Sequence, residues 1–393
     1  MTRVVVTGMG AVTCLGRSVE ETWRGLIENR SGLSRIEKFD PTGLRNEAAG
    51  EVKGPFPGEG DLAGRFALAA CEEAMEAAQP NGGLSEPHRA GVICSTNFGG
   101  ADSWEKWVAA RRDGNGDPAD LEEFDFAVPC HMIAERWNLR GPATTLSLSC
   151  SSSAAATGLA LDLIRAGRAD VILAGGHDTI SYSSLAGLSI LRTITADEIR
   201  PFDKRRNGTI FGEGAAMVVL EELEHARARG APISAELLGY GLNNNAYHLT
   251  APDKGGEGLR HVLEAALRDA HVAADQLDYI NAHGTGTPYH DVAETVAIKT
   301  ALGDHAYRIP VSSIKAATGH IMAGAGALEA IATILAMRDG VVPPTLNYDE
   351  ADPNCDLDYV PNEARAHRVK IAASVSSGIG GNNAAVVLGR GTA

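Results

Sequence analysis

Three short segments of this chain carry side chains able to do covalent chemistry, each beside small residues. In 144–153 a β-like run enters, small residues crowd the turn and an apolar helix leaves, with Cys150 at the turn. Cys150 is thus expected at or near a helix N-terminus, where free N–H groups and the helix dipole favour a thiolate. A thiolate is the nucleophile needed to accept an acyl group as a thioester, and the N–H of Cys150 can itself face the oxyanion that forms. Taken alone, Cys150 equally fits a small buried packing position. Segment 281–288 sets His283 straight after a strand, followed by alternating Gly and Thr. Such a loop brings backbone close to a ligand, and Thr285 and Thr287 offer it hydroxyls. Segment 312–320 puts a second histidine, His320, at the start of an apolar helix. One histidine on an apolar face is more often a satisfied core residue. Two at Gly-flanked strand ends, with a cysteine at a third such point, are hard to assign to packing. The glycine-rich turn in 376–383 is either a plain hairpin or the source of a second oxyanion donor, such as the N–H of Ile379.

Positioning these points requires strands that end where the side chains begin. Strand-like runs at 4–7, 90–95, 170–174, 215–220, 279–282, 309–312, 371–376 and 384–388 alternate with helical stretches at 62–78, 152–165, 258–270, 291–302 and 325–337. That alternation is the α/β pattern. Gly167 and Gly340 follow two of the helices, where a C-terminal cap glycine belongs. The order also repeats weakly. An apolar helix after a turn and then two strands occur at 146–220 and again at 311–388. Two related α/β halves are expected, 1–231 and 232–393, meeting at the turn Gly230-Ala231-Pro232. No low-complexity linker separates them, so a continuous interface is expected.

Composition removes several function classes. A net charge of −15 argues against a general nucleic-acid surface, because phosphates would be repelled. An acidic partner would need a local basic patch; Lys204-Arg205-Arg206 is a candidate, although such clusters are usually solvated turns. The six cysteines are scattered without a CxxC pair, which indicates neither a zinc ribbon nor a disulfide framework and fits a reducing cytosol. The N-terminal apolar run is too short for a signal sequence and reads as a first strand. Residues 321–337 are nearly apolar, but Glu329 sits at their centre, so a buried helix is expected rather than a membrane span. Gly8-Met9-Gly10 follows a strand like a dinucleotide fingerprint. Thr13 stands at its last glycine position and no acidic residue follows at the required distance, so no nucleotide site is expected.

Cys150, then HGTGTP at 283–288, then KxxxGH from Lys315 to His320, in that order, resemble the elongating β-ketoacyl-[acyl-carrier-protein] synthases of the thiolase superfamily. The likeness runs nearly end to end, from VVTGMG at 5–10 through RPFD at 200–203 and GEGA at 212–215 to GGNN at 380–383. It implies a five-layered αβαβα fold of two pseudo-symmetric halves, normally dimeric, and a ping-pong Claisen condensation. By this likeness Cys150 takes the acyl chain from an acyl carrier protein. His283 and His320 then hold the thioester carbonyl of malonyl-carrier protein while it loses CO2, and the enolate attacks acyl-Cys150. The N–H groups of Cys150 and Ile379 form the oxyanion hole. Lys315 orients the site and pairs with Glu329, Asp291 gives structural support, and Thr285 and Thr287 contact the pantetheine arm. No metal or redox cofactor is implied beyond the carrier's phosphopantetheine. The partners implied are the carrier protein and a second subunit in a homodimer or in a heterodimer with a chain-length factor; from the charge pattern, an acidic carrier is expected to dock at Lys204, Arg205 and Arg206. A cytoplasmic location follows, without membrane or nucleic acid.

The sequence also departs from the family. Ser377 and Ile379 replace the usual phenylalanine pair of the late turn, and the Ser-Gly before Ile379 is closer to the aromatic polyketide branch. His290 stands where relatives usually carry Gly or Asn, beside Asp291. Trp104 falls in a segment that borders the acyl pocket and is expected to shorten it. The substrate is therefore expected in a type II polyketide or polyene pathway, or in fatty acid synthesis. Thiolases need a second cysteine in the late turn, which 378–381 lacks, and initiating synthases carry Asn where this chain has His320. The alternative is a non-catalytic chain-length-factor partner, a class that lacks the reactive cysteine.

Overall fold

The computed structural model describes residues 2–78 and 86–391. Its scaffold is a ten-stranded sheet made of two five-stranded units. The first unit comprises β1 (Val4–Val12), β2 (Ala90–Ser95), β3 (Ala143–Leu146), β4 (Val171–Asp178) and β5 (Gly214–Glu222). The second comprises β6 (Ala235–Asn244), β7 (Tyr279–Asn281), β8 (Val311–Ser312), β9 (Ile371–Ser377) and β10 (Asn382–Arg390). The spatial order is β3-β2-β4-β5-β1 and then β6-β10-β9-β7-β8. Each unit therefore repeats the same order outward from its first strand. In each, the first-placed pairs are antiparallel and the outer strands run parallel. The units join where Val4–Val6 pairs antiparallel with Ala235–Leu237.

Two helices, α3 (Ser152–Arg165) and α6 (Ala325–Asp339), pack on each other between the half-sheets. Outside the first unit lies α1 (Leu62–Ala77), against β1 and β5, and further along the chain α2 (Ala101–Arg112). Outside the second lie α4 (Glu257–Asp269), on β6 and β10, and α5 (His290–Leu302), on α4. This gives the five layers αβαβα that the resemblance implies. Strands covered on both faces read as continuous apolar runs, and β4 is buried at every residue. The central helix α6 is buried from Ala325 to Met337, Glu329 included. No helix among the described residues is long and apolar enough to cross a membrane. The outer helix α4 buries only Leu259, Val262, Leu263, Ala266, Leu267 and Gly258, an amphipathic stripe.

Glycines set the layer spacing. A Cβ on Gly8 would meet the carbonyl oxygen of Ala74 at 2.0 Å, and one on Gly10 that of Ala70 at 1.8 Å. The GxG of the first strand is thus a strand–helix contact within β1, which continues to Val12 rather than ending at residue 7. β6 escapes the sequence pattern for the same reason. Gly239 and Gly241 lie under α4, where a Cβ would meet Ala270 N and Val262 O, each at 2.4 Å. Glycines in a strand lower its β propensity, and only the close helix explains them. Gly340 caps α6 with φ of 67°, and Gly167 adopts the same φ just past α3.

Candidate active site

β3 leads to Cys150. Beyond Leu146 the chain reverses through Ser149, at φ 53°, and Cys150 follows immediately, one residue before the N-cap Ser151 of α3. Left-handed φ at a residue with a Cβ is strained and persists only where its surroundings enforce it. Here the Ser152 hydroxyl accepts the N–H of Leu148 at 2.7 Å and donates to Ser149 O at 2.5 Å, stapling the turn. The late turn between β9 and β10 lies directly against it. A Cβ on Gly378 would sit 2.8 Å from Ser149 Cβ and 3.1 Å from Cys150 N, so only glycine allows this contact. The N–H of Ile379 reaches the Cys150 sulfur. The turn is therefore a hairpin that also presents a donor to the nucleophile.

Burial opposes the thiolate that a helix N-terminus favours. Burial pushes the Cys150 thiol up to about 12, and the charge of Lys315 and the Ile379 N–H pull it back only in part. Cys150 is 8 % exposed, and an enclosed anion loses more hydration than those donors return. Cys150 rests as a thiol.

His283 follows β7, and the rings of His283 and His320 meet edge to face with centroids 5.3 Å apart. Nδ1 of His320 accepts the N–H of Met322 at 3.3 Å, which leaves the proton on Nε2. That Nε2 is buried without a protein partner, as is Nδ1 of His283. Phe211 stacks on the His320 ring at 5.6 Å. Both imidazoles are held well below the ordinary histidine range, by burial first and by the charge of Lys315 second. They are neutral at physiological pH, which suits them to hydrogen-bond donation. Lys315 and Glu329, each 1 % exposed, form a buried ion pair, and Ser376 Oγ adds a 3.4 Å hydrogen bond to Glu329.

The loop carrying His283 is held from α5. Asp291 accepts the N–H groups of Phe202 at 2.7 Å and Gly286 at 3.1 Å. Glu294 accepts those of His283 at 2.7 Å and Gly284 at 2.8 Å. Burial raises Asp291 to about 6 and Glu294 to about 8. Glu294 was not singled out from the sequence, yet it lies one helical turn from Asp291, a spacing that puts both carboxyls on one face. A second residue without a sequence signal is Asp178, at the end of β4. Its buried carboxylate accepts the Thr96 hydroxyl and the N–H groups of Asn97, Phe98 and Ala323. It thereby ties the first half to the His320 loop.

One cavity of about 310 Å³ is lined by Cys150, His283, His320, Ile379, Thr285 and Thr287. The two threonine hydroxyls are 3.2 Å apart. His290 also lines it, and Arg192, Leu249 and Tyr289 stand among the outer residues. One expected lining residue does not reach this cavity. Trp104 lies on α2, 37 % exposed beside Phe124, and is not in the lining. The exposed part of the basic cluster is paired: Lys204 with Glu350 at 2.5 Å and Arg205 with Asp349 at 2.6 Å. Arg206 is buried and pairs with Asp352 at 2.6 Å, so it presents no charge for docking.

A buried cysteine at a strained turn and two neutral histidines thus share one cavity on a doubled α/β unit. Residues 1–226 match the family model for the β-ketoacyl synthase N-terminal domain, and 234–349 match that for its C-terminal domain. The chain belongs to the β-ketoacyl synthase family and is an acyltransferase of that family. It is 37 % identical to the 3-oxoacyl-[acyl-carrier-protein] synthase 2 of Coxiella burnetii, over 99 % of this chain and 98 % of that one. It is 38 % identical to the tetracenomycin polyketide synthase ketoacyl synthase alpha subunit of Streptomyces glaucescens, over 99 % and 97 %. Among solved structures, a type II polyketide synthase acyl-carrier protein in complex with its ketosynthase superposes with a TM-score of 0.93 at 34 % identity, covering both chains fully. The ishigamide ketosynthase/chain length factor superposes with a TM-score of 0.92 at 37 % identity, again over both full chains.

Proposed function

We propose that this enzyme condenses malonyl-acyl-carrier protein with an acyl chain on Cys150, giving a 3-oxoacyl-carrier protein in type II polyketide, polyene or fatty acid synthesis. The observation that carries this reading is the convergence of Cys150, the Ile379 N–H and two neutral imidazoles on one cavity. The Cys150 sulfur attacks the thioester carbonyl of the acyl carrier. The resulting oxyanion meets the N–H groups of Cys150 and Ile379. Collapse expels the carrier thiol, which takes the proton that Cys150 lost. The malonyl thioester then enters with its carbonyl oxygen toward the His320 Nε2–H and His283. Loss of CO2 leaves an enolate held by these two donors. Its carbon bonds to the acyl carbonyl as the C–S bond to Cys150 breaks, and the departing sulfur is reprotonated. No metal or redox cofactor takes part, because loss of CO2 drives the C–C bond.

The partners belong to the same proposal. They are an acidic carrier protein and a second subunit, either another copy or a chain-length factor, in the cytoplasm and without membrane or nucleic acid. Lys204 and Arg205 are the docking cations, since exposed ion pairs are weak and exchange readily; buried Arg206 is not one. The test is intact-protein mass after incubation with a panel of acyl-carrier-protein thioesters, for wild type and Cys150→Ala. A mass gain equal to the acyl group, absent in the variant, is expected and identifies the chain accepted. An adduct on both proteins, or none on either with the second subunit present, would overturn it. The second outcome would make this chain the non-catalytic partner.

A further inference from the structure

The first turn of α5 faces the His283 loop with three side chains. Asp291 and Glu294 hold the backbone of that loop, through Gly286, His283 and Gly284. The third is His290, whose ring meets that of His283 edge-on, with centroids 4.8 Å apart and planes at 66°. His290 is 9 % exposed and lines the cavity, and neither of its ring nitrogens has a hydrogen-bond partner among the described residues. Its Nδ1 lies 3.8 Å from Glu294 Oε2 and 4.0 Å from Asp291 Oδ1, beyond hydrogen-bond reach. No described protein group holds the ring by a hydrogen bond, so a structural hydrogen bond does not account for an imidazole here.

His283 has the complementary deficit. The His320 ring is oriented by the Met322 N–H on Nδ1, whereas Nδ1 of His283 has no hydrogen-bond partner among the described residues. Ring contacts stand in for that missing hydrogen bond: His320 on one side at 5.3 Å and His290 on another at 4.8 Å. We propose that His290 is a positioning residue that holds the His283 imidazole in the orientation that meets the malonyl thioester carbonyl. The inference rests on the function proposed above for His283. Removing the His290 ring frees volume beside His283, and a misplacement of about 1 Å at a catalytic group costs up to about a hundredfold in rate.

The test is a double-mutant cycle on the decarboxylation of malonyl-carrier protein, with wild type, His290→Gly, His283→Ala and the double variant. With His283 present, His290→Gly is expected to lower kcat about tenfold or more at unchanged KM. In the His283→Ala background the same change is expected to cost less than about twofold, because the ring it positions is gone. Direct contact with substrate, or a general loosening of the fold, would cost the same in both backgrounds. That result, or a wild-type rate for His290→Gly, overturns the proposal. Should His290→Gly fail to fold, His290→Asn takes its place in the same cycle. A wild type that does not decarboxylate malonyl-carrier protein, or a His283→Ala variant that does so normally, refutes the role of His283 and this inference with it.

Discussion

Lys315→Met is the perturbation whose consequences the structure defines most fully. Lys315 and Glu329 are each 1 % exposed and paired behind the histidines, and among the described residues only the Ser376 hydroxyl otherwise hydrogen-bonds to that carboxylate. Removing one member of a buried ion pair costs about 3–5 kcal/mol, because the other charge is left uncompensated. Burial already raises the Glu329 pKa, and Lys315 opposes it. Without Lys315 the folded-state pKa rises further above its unfolded value. A group raised in this way does not penalise folding below its unfolded pKa, and its penalty grows as pH rises towards the folded pKa. Lys315→Met should therefore be close to wild type in stability near pH 5 and lose the full about 3–5 kcal/mol near pH 8. Lys315→Met/Glu329→Met removes both charges and should recover most of that loss. It should still condense poorly, because the positive charge that acts on His283, His320 and Cys150 is gone. Urea midpoints at the two pH values, with initial condensation rates, separate these effects. A single variant as stable as wild type near pH 8, or a double variant as unstable as the single one, would refute the reasoning.

Three further predictions concern the nucleophile and its approach. With the Cys150 thiol pushed up to about 12, iodoacetamide alkylation should rise about tenfold per pH unit through about pH 9; a plateau near neutral pH would mean a resting thiolate. Gly378→Ala should lower the condensation rate about 10²–10³-fold, the usual loss for one oxyanion donor, because the added Cβ drives the Ile379 turn off Ser149 and Cys150. An active variant would show that this turn supplies no donor. Lys204→Glu/Arg205→Glu should slow transfer from carrier protein but not from a small acyl thioester, and equal slowing of both would remove these residues from docking. Arg206→Glu should instead destabilise the fold, since its carboxylate would face buried Asp352.

Much of the site was legible because its residues occupy strand ends. Cys150, His283 and His320 each follow a recognisable β-run, and the glycines around them mark where backbone must pass close. Glu329 was visible as a charge with no reason to stand in an apolar helix, and its buried partner Lys315 lies near His320 in the chain. The failures have physical causes as well. Trp104 was placed by likeness and Arg206 by its run of positive charge, but burial and pairing are decided by neighbours outside the local segment, Phe124 and Asp352 among them. β6 was missed because its glycines answer to a helix that the local pattern does not contain.

The sequence by itself therefore determined the chemistry available: one nucleophile, two imidazoles, a buried lysine–glutamate pair and the strand-helix repeat that carries them. Residue type and spacing suffice for that, because side-chain chemistry and short-range backbone preferences are local. The tertiary structure decided the protonation states and contacts. Cys150 is a thiol because the folded core strips its hydration, and the histidines are neutral for the same reason with Lys315 added. Asp178 acquired its place only when the two halves packed together, and Glu294 and His290 only when α5 packed on the His283 loop, since desolvation and hydrogen-bond partners are properties of the packed assembly and not of the chain.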